Sequence, residues 1–449
     1  MLNLNHQKAW VVAVDMGYGH QRAADPLRRI AYGGKVINAN NYVGIPAKDK
    51  KIWQDSRKFY EFISRFKKVP IIGQAAFDLF DKFQEIPMFY PKRDLSAPNI
   101  QLKYMMRMIE KRQWGKNLMD KLEKKQLPLI TTFFVTAFMA EYYDYSGEIF
   151  AVVTDTDLSR TWVPIDPTRS RIKFLAPSKR AEERLKHYGV PEDNIFLTGF
   201  PLPVELLGDS KLSTLRHDLG QRMANLDPHR VYINKFQDTI RKYLGNENFP
   251  PKKSKHLLTI MFAVGGAGAQ REIGIQLVKS LREKIKHHEY RVILVAGTHL
   301  DIKNYFEKEI VSLGLRSFLG KGIRVIHSQN KEEYFRLFNR ALRTTDILWT
   351  KPSELSFYTA LGLPIIMTPP IGSQEKFNRR WLHMVGSGLA QDDPRFAIEW
   401  IGDLLDSGWF AEAAMQGFLE APKFGTYNIQ KIISSKPEEC LKCKTEMHY

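Results

Sequence analysis

Cysteine is almost missing from this chain. Two residues, Cys440 and Cys443, stand in 449, which excludes a disulfide framework and fits a reducing compartment. As half a zinc site at most, the pair carries no metal expectation. Long apolar runs are missing too, since none reaches the roughly 18 residues of a membrane span. The longest candidate, Leu127 to Ala140, carries three threonines and reads as a strand followed by a helix start. Low-complexity tracts and internal repeats are absent, so the composition is that of a soluble globular protein. The first strand begins within ten residues of the N-terminus, so no signal peptide is expected. Acidic residues are in deficit: 49 against 67 basic ones, a formal charge of +18. The stretch from Lys48 to Lys125, with 19 basic and 10 acidic residues, supplies half of that excess. Such a balance favours an anionic partner: a membrane surface, a nucleic acid or a phosphorylated substrate.

What is present is a pair of glycine turns. The first closes Val11-Val12-Ala13-Val14-Asp15-Met16-Gly17-Tyr18-Gly19-His20, and the second closes Leu257–Val264 with Gly265-Gly266-Ala267-Gly268-Ala269-Gln270. In each, an apolar run reads as a parallel-sheet strand, and glycines let the backbone turn tightly into a helix. The N–H groups exposed at such a helix start suit a phosphate or another anion. A chain of this length exceeds one ordinary core, so two domains are expected.

Strand-like and helical segments alternate through both halves. Strands are expected near Ala9–Val14, Lys35–Ile37, Leu129–Thr132, Ile149–Val153, Ile172–Leu175 and Ile195–Leu197. In the second half they fall near Leu257–Val264, Arg291–Val295, Ile323–Ile326, Ile347–Trp349 and Pro364–Met367. Alternation of this kind specifies α/β domains with parallel sheets wrapped by helices. The expected divisions are a first domain at 1–200 and a polar, helical insertion or linker at 201–256. A second domain follows at 257–395, then helices returning to the first domain at 396–433 and a tail at 434–449.

The order of motifs resembles the GT-B glycosyltransferases related to monogalactosyl-diacylglycerol synthase, processive diacylglycerol glucosyltransferase and the enzyme that adds N-acetylglucosamine to lipid I. Asp15-Met16-Gly17-Tyr18-Gly19-His20 is similar to that family's Gly-x-Gly-His turn, and Val153-Thr154-Asp155 to its Thr-Asp pair. Pro177-Ser178, Tyr188-Gly189-Val190-Pro191 and Thr198-Gly199-Phe200-Pro201 look like its domain-closing run. Gly265–Ala269, Thr350-Lys351-Pro352 and Gly372-Ser373-Gln374-Glu375 with Asn378 match in kind and order. The resemblance covers most of 8–200 and 257–395. It implies two Rossmann-like domains with parallel sheets facing across a cleft. It also implies an inverting, metal-independent hexosyltransferase that needs no cofactor. The sugar would pass from a nucleotide diphosphate, a uridine one by expectation, to a lipid or lipid-linked acceptor at the cytoplasmic face of the cell membrane. Nucleic acid is not expected as a partner. One stretch departs from the pattern. After Lys351-Pro352 the family has glycines and then a glutamate that holds the donor ribose. Here the run is Ser353-Glu354-Leu355-Ser356-Phe357-Tyr358-Thr359, with Glu354 at a glycine position and Thr359 where the glutamate would fall.

Sugar transfer requires a stabilised diphosphate, a deprotonated acceptor hydroxyl and exclusion of water. Gly265, Gly266 and Gly268 with Lys351, Pro352, Ser353 and Glu354 are the candidates for the diphosphate; the alternative is that the glycines only permit tight packing. His20 follows a glycine turn at the carboxyl end of a strand, where open sheets bind ligands. It reads as a general base, as a hydrogen-bond partner of the transferring sugar, or as a helix-start histidine satisfied by backbone. Asp155 reads as an acceptor-side base, as the group orienting His20, or as a cap on the next turn. Gly17, Gly19 and Asp157 are placed on the acceptor side, and the Asp155-Thr156-Asp157 triplet is not taken for a metal site. The resemblance assigns Gly372, Gln374, Glu375 and Asn378 to the donor sugar, while the residues alone allow a helix capped by Ser373. Gly297 and Thr298 are a further donor contact, and His327 ends the strand whose backbone would hold the base. The aromatic and basic stretch Trp53–Met119, including Phe59–Lys68, reads as an interfacial membrane face or as core. Two rivals stay open: a nucleotide-sugar epimerase on the same fold, and a non-catalytic binder of polyanions or membranes.

Overall fold

The computed structural model describes residues 7–66, 86–265, 268 and 270–435. Its contacts divide the chain into two compact units. Unit 1 comprises 1–202, 371–378 and 422–449, and unit 2 comprises 203–370 and 379–421.

Unit 1 is built on a six-stranded, wholly parallel sheet of β1 (Ala9–Ala13), β2 (Ala31–Asn38), β3 (Leu129–Thr131), β4 (Ile149–Val152), β5 (Ile172–Ala176) and β6 (Ile195–Leu197). The strand order is β2-β1-β3-β4-β5-β6. Every residue of β3 and β4 is buried, as continuous apolar strands covered on both faces must be. The edge strand β2 is the exception. Its Tyr32, Gly33 and Gly34 are exposed, and the register shifts between Ala9 and Val11 of β1. The order reverses beside β1, so β1 and β3 flank the switch point of unit 1.

Much of the basic, aromatic stretch is core. Trp53, Leu102, Ile109, Trp114, Leu118, Met119 and Leu122 are buried in one cluster with the sheet. Helix Ile100–Arg112, capped by Asn99, buries Leu102 and Ile109, while Ile100 and Tyr104 stay exposed. The side chains of Phe59–Lys68 lie outside the described residues. No described helix is long and apolar enough to cross a membrane.

Unit 2 carries a second parallel sheet: β7 (Leu258–Ala263), β8 (Tyr290–Gly297), β9 (Ile323–His327), β10 (Ile347–Thr350), β11 (Ile365–Met367) and β12 (Gly388–Ala390). Its order, β12-β11-β10-β7-β8-β9, is the doubly wound dinucleotide-fold order, with the switch point between β7 and β10. β12 was not expected from the sequence. It is three residues long and opens on glycine, and only its register on β11, with Leu389 beside Ile366, makes it a strand.

Two expected boundaries move. Residues 203–256 fold as helices of unit 2, because buried Arg222 of helix Ser213–Leu226 donates to the carbonyls of Thr345 and Leu361, each at 2.7 Å. Past residue 396, helices Ala397–Asp406 and Trp409–Glu420 also belong to unit 2, separated by left-handed Gly408. Helix Gly425–Ser434 belongs to unit 1, where Asn428 donates to the Thr198 carbonyl at 2.8 Å.

Candidate active site

In unit 1 the turn after β1 is held by a side chain. Asn40 accepts from the Asp15 N–H at 3.0 Å and donates to the Asp15 carbonyl at 3.1 Å. Gly17 then takes φ 108°, a conformation open to glycine alone, and helix Tyr18–Ala24 begins. Gly19 and His20 lie in its first turn. His20 reaches across the switch point, where its Nδ1 sits 2.7 Å from the Thr132 carbonyl just past β3. A carbonyl can only accept, so the neutral ring carries its hydrogen on Nδ1 and its lone pair on Nε2. Thr154 Oγ1, past β4, is 3.4 Å from the same nitrogen. The Phe133 ring meets the imidazole edge-on at 4.9 Å, and Trp162 stands at 6.3 Å. Burial in this apolar setting lowers the His20 pKa from 6.5 to about 4, against the opposing pull of the Thr132 bond. The ring is therefore neutral at pH 7, with Nε2 able to take a proton.

The two aspartates beyond β4 have different fates. Asp155 accepts from the Asn378 carboxamide at 3.0 Å. Asp157 is buried in a bidentate pair with wholly buried Arg184, at 2.7 and 3.0 Å, and takes a third bond from Arg180 at 3.0 Å. Arg180 also stacks on Phe89, 3.8 Å from the ring centroid. Asp157 is thus an internal counter-ion and not an acceptor-side group, because two guanidinium groups occupy its carboxylate.

The segment Gly372–Asn378 departs from expectation in its place. The sequence places it with the second domain, yet its contacts put it in unit 1. Buried Asn378 accepts from the Thr156 N–H at 3.0 Å and from the Thr156 hydroxyl at 2.8 Å. Glu375 accepts the Ile371 N–H at 2.8 Å, closing the turn that leads into helix Ser373–Val385. Gln374 stands in the first turn of that helix beside Gly372.

In unit 2 the expected donor residues gather at the carboxyl ends of β7, β8, β9 and β10. Gly265 follows β7 and Lys351 follows β10, the two strands of the switch point. The Lys351 side chain lies over Gly265 so closely that a Cβ there would stand 2.6 Å from Lys351 Cε and 3.4 Å from Nζ. Gly268 closes a turn onto the Gly265 carbonyl at 2.8 Å and takes φ 67°; Gly266 lies outside the described residues. Gly297, at φ 66°, ends β8 beside Thr298, and the Ser328 N–H donates to its carbonyl at 3.1 Å. His327 ends β9 with its Nε2 buried and unpartnered among the described residues. Burial and, after it, Lys303 keep its pKa below the ordinary value. Pro352 is buried, while Ser353 and Glu354 are half-buried at the start of the 3-10 helix Glu354–Leu361. Thr359, where the family pattern has its ribose glutamate, is fully buried against Gly417 of helix Trp409–Glu420. Sequence reasoning did not single out Gln270, whose side chain accepts from Thr368 at 2.8 Å and donates to the Pro369 carbonyl at 3.2 Å. Nor did it single out Asn40 or Thr132, and Thr154 entered only as half of a Thr-Asp pair with no role beside His20, because these roles depend on strand neighbours far apart in the chain.

Known proteins resemble the chain over most of its length. It is 22% identical over 408 residues to the processive diacylglycerol β-glucosyltransferase of Bacillus licheniformis, covering 88% of this chain and 86% of that protein. The Bacillus subtilis protein of the same name matches at 22% over 414 residues, covering 90% and 88%. Residues 249–319 match a family described as a domain of unknown function, DUF6938. Among solved structures, the UDP-GlcNAc 2-epimerase of Neisseria meningitidis bound to UDP-GlcNAc aligns with 97% of this chain and all (100%) of that one. The identity is 15% and the TM-score 0.48.

Proposed function

Starting from a glycosyltransferase of the GT-B kind related to the diacylglycerol glucosyltransferases, we propose that the chain transfers a sugar from a uridine diphosphate donor to a diacylglycerol-type lipid, with inversion. The observation that carries this reading is His20, a neutral imidazole whose proton is pinned on Nδ1 by the Thr132 carbonyl. The acceptor hydroxyl gives its proton to Nε2 as its oxygen bonds to the anomeric carbon. The bond from that carbon to the diphosphate breaks with its electron pair on the departing oxygen. A base near pKa 4 is weak, but negative charge brought beside the ring raises its proton affinity.

The developing diphosphate charge falls to unit 2, where Lys351 lies over the Gly265 turn ahead of helix Arg271–Ser280. A cation and a helix start together suit that charge. Donor grip on the ribose differs from the family pattern, since Thr359 is buried. The epimerase alternative is weakened by the carboxylates. Asp157 is consumed by Arg180 and Arg184, and Glu375 holds the Ile371 N–H. The net charge of +18 and the exposed Ile100 and Tyr104 on a basic helix support peripheral attachment to an anionic membrane at its cytoplasmic face.

Calorimetric titration with uridine diphosphate tests the donor half. Micromolar binding that Lys351→Ala weakens and His20→Ala spares is the expected result. Incubation of UDP-glucose with diacylglycerol in anionic vesicles tests the acceptor half, with a lipid glucoside as product and its loss in His20→Ala. Failure to bind uridine, guanosine or thymidine diphosphate would refute the reading.

A further inference from the structure

We infer that Asn378 is a positioning residue: its carboxamide sets the turn after β4, and that turn holds both the Asp155 carboxylate and the threonine beside His20. The inference rests on the reading of His20 as the acceptor base.

Asn378 is fully buried, and its carboxamide bonds two consecutive residues of the turn after β4. Its oxygen takes the Thr156 N–H at 3.0 Å and the Thr156 hydroxyl at 2.8 Å, while its amide donates to Asp155 Oδ1 at 3.0 Å. A carboxamide oxygen has two lone pairs, and Thr156 fills both. The far side of the turn is fixed as well. The Ser178 hydroxyl donates to the Thr156 carbonyl at 2.8 Å and accepts from the Ala181 N–H at 3.1 Å, where it caps helix Lys179–His187. Two residues before Thr156, buried Thr154 places its hydroxyl 3.4 Å from His20 Nδ1. Asn378 thus reaches His20 through three successive residues of one turn.

The residue type follows from this arrangement. Aspartate would set a second carboxylate against Asp155, which like charges oppose. Alanine would leave the N–H of buried Thr156 without its acceptor, a costly state. From a short stem, asparagine supplies an N–H donor for Asp155 and a doubly accepting oxygen for Thr156. In the resembling family this asparagine sits in the donor-sugar loop; here its bonds run inward to the β4 turn.

The test compares Asn378→Ala and Thr156→Val with the wild-type chain. His20 is followed by nitrogen-resolved NMR titration, its signal identified by loss in His20→Gln. Transfer is followed as uridine diphosphate released from UDP-glucose with diacylglycerol vesicles, and donor affinity by calorimetry with uridine diphosphate. Asn378→Ala is expected to move the His20 titration upward, towards 6.5, and to lower kcat by about tenfold or more while Kd stays within about threefold. Thr156→Val removes a single hydroxyl, so it keeps the fold should the alanine variant lose it, and shifts His20 in the same direction by less. Unchanged His20 titration in both variants overturns the inference. So does a Kd weakened about tenfold with kcat preserved, which would make Asn378 a donor ligand. If the wild-type chain neither binds uridine diphosphate nor transfers sugar, the transferase reading fails; the His20 titration needs no substrate and still decides the positioning role.

Discussion

Adding one methyl group at Gly265 should displace Lys351 and weaken nucleotide binding without unfolding unit 2. The new Cβ would stand 2.6 Å from Lys351 Cε and 2.8 Å from Cδ, distances that no relaxed contact tolerates. Gly265 lies outside the left-handed region, so alanine adds no backbone strain. The obstructing atoms are the end of a flexible side chain, and moving it costs about 0.5–1.5 kcal/mol of rotamer energy. The melting temperature should therefore fall by only a few degrees, about 2–4 °C per kcal/mol for a unit of this size. A hydrogen bond to a charged group is worth about 1.5–3 kcal/mol. Losing the ammonium from its place over the turn then weakens uridine diphosphate about 10- to 100-fold. Calorimetry on Gly265→Ala, Lys351→Ala and the double variant separates this account from general damage. If the methyl acts by moving the lysine, the double variant binds no worse than Lys351→Ala alone. A wild-type Kd for Gly265→Ala, or losses that simply add in the double variant, would refute the reasoning.

The remaining expectations concern charge and packing. The folded-state pKa of His20, about 4, lies below its unfolded value of 6.5, so the unfolded chain binds the extra proton between those limits. Stability is fully present above pH 6.5 and falls as pH drops towards 4, by at most about 1.4 kcal/mol per unit; urea titrations at pH 7 and 5 should show a smaller difference in His20→Gln than in wild type. Removing Asp157 by alanine strands the wholly buried Arg184 guanidinium and should cost about 3–5 kcal/mol in chemical denaturation, and a paired Asp157→Leu, Arg184→Met change should recover much of it. Thr359→Glu, which restores the family's glutamate, should fail to tighten uridine diphosphate in calorimetry and should lower the melting point, because Thr359 is fully buried against Gly417. Arg222→Ala should melt unit 2 early in a thermal scan, since its guanidinium serves the carbonyls of Thr345 and Leu361 and buried acceptors left unpaired cost about 1–3 kcal/mol each.

The sequence alone determined most of the strands and the glycine turn after β1. Apolar runs such as Ile149–Val152 and Leu258–Ala263 are legible because strands buried on both faces leave no alternation to misread. The turn at Gly17 is legible because only glycine holds φ 108°. β12 was not legible, since Gly388–Ala390 becomes a strand only through its pairing with β11. Side-chain roles were decided by tertiary structure. Nothing near Asp157 in the chain announces that Arg184, a helix away, will neutralise it. Glu354, read with the diphosphate candidates, is half-buried at a helix start, whereas Thr359, at the position of the family's ribose glutamate, lies in the core. The segment 371–378 carries the residues expected at a donor sugar, but the buried bonds of Asn378 to Asp155 and Thr156 assign it to unit 1. Local sequence specifies backbone conformation through sterics and periodicity, over a few residues at a time. Which polar atoms remain for a ligand depends on partners more than two hundred positions away, as with Thr156 and Asn378, and only folding brings those together.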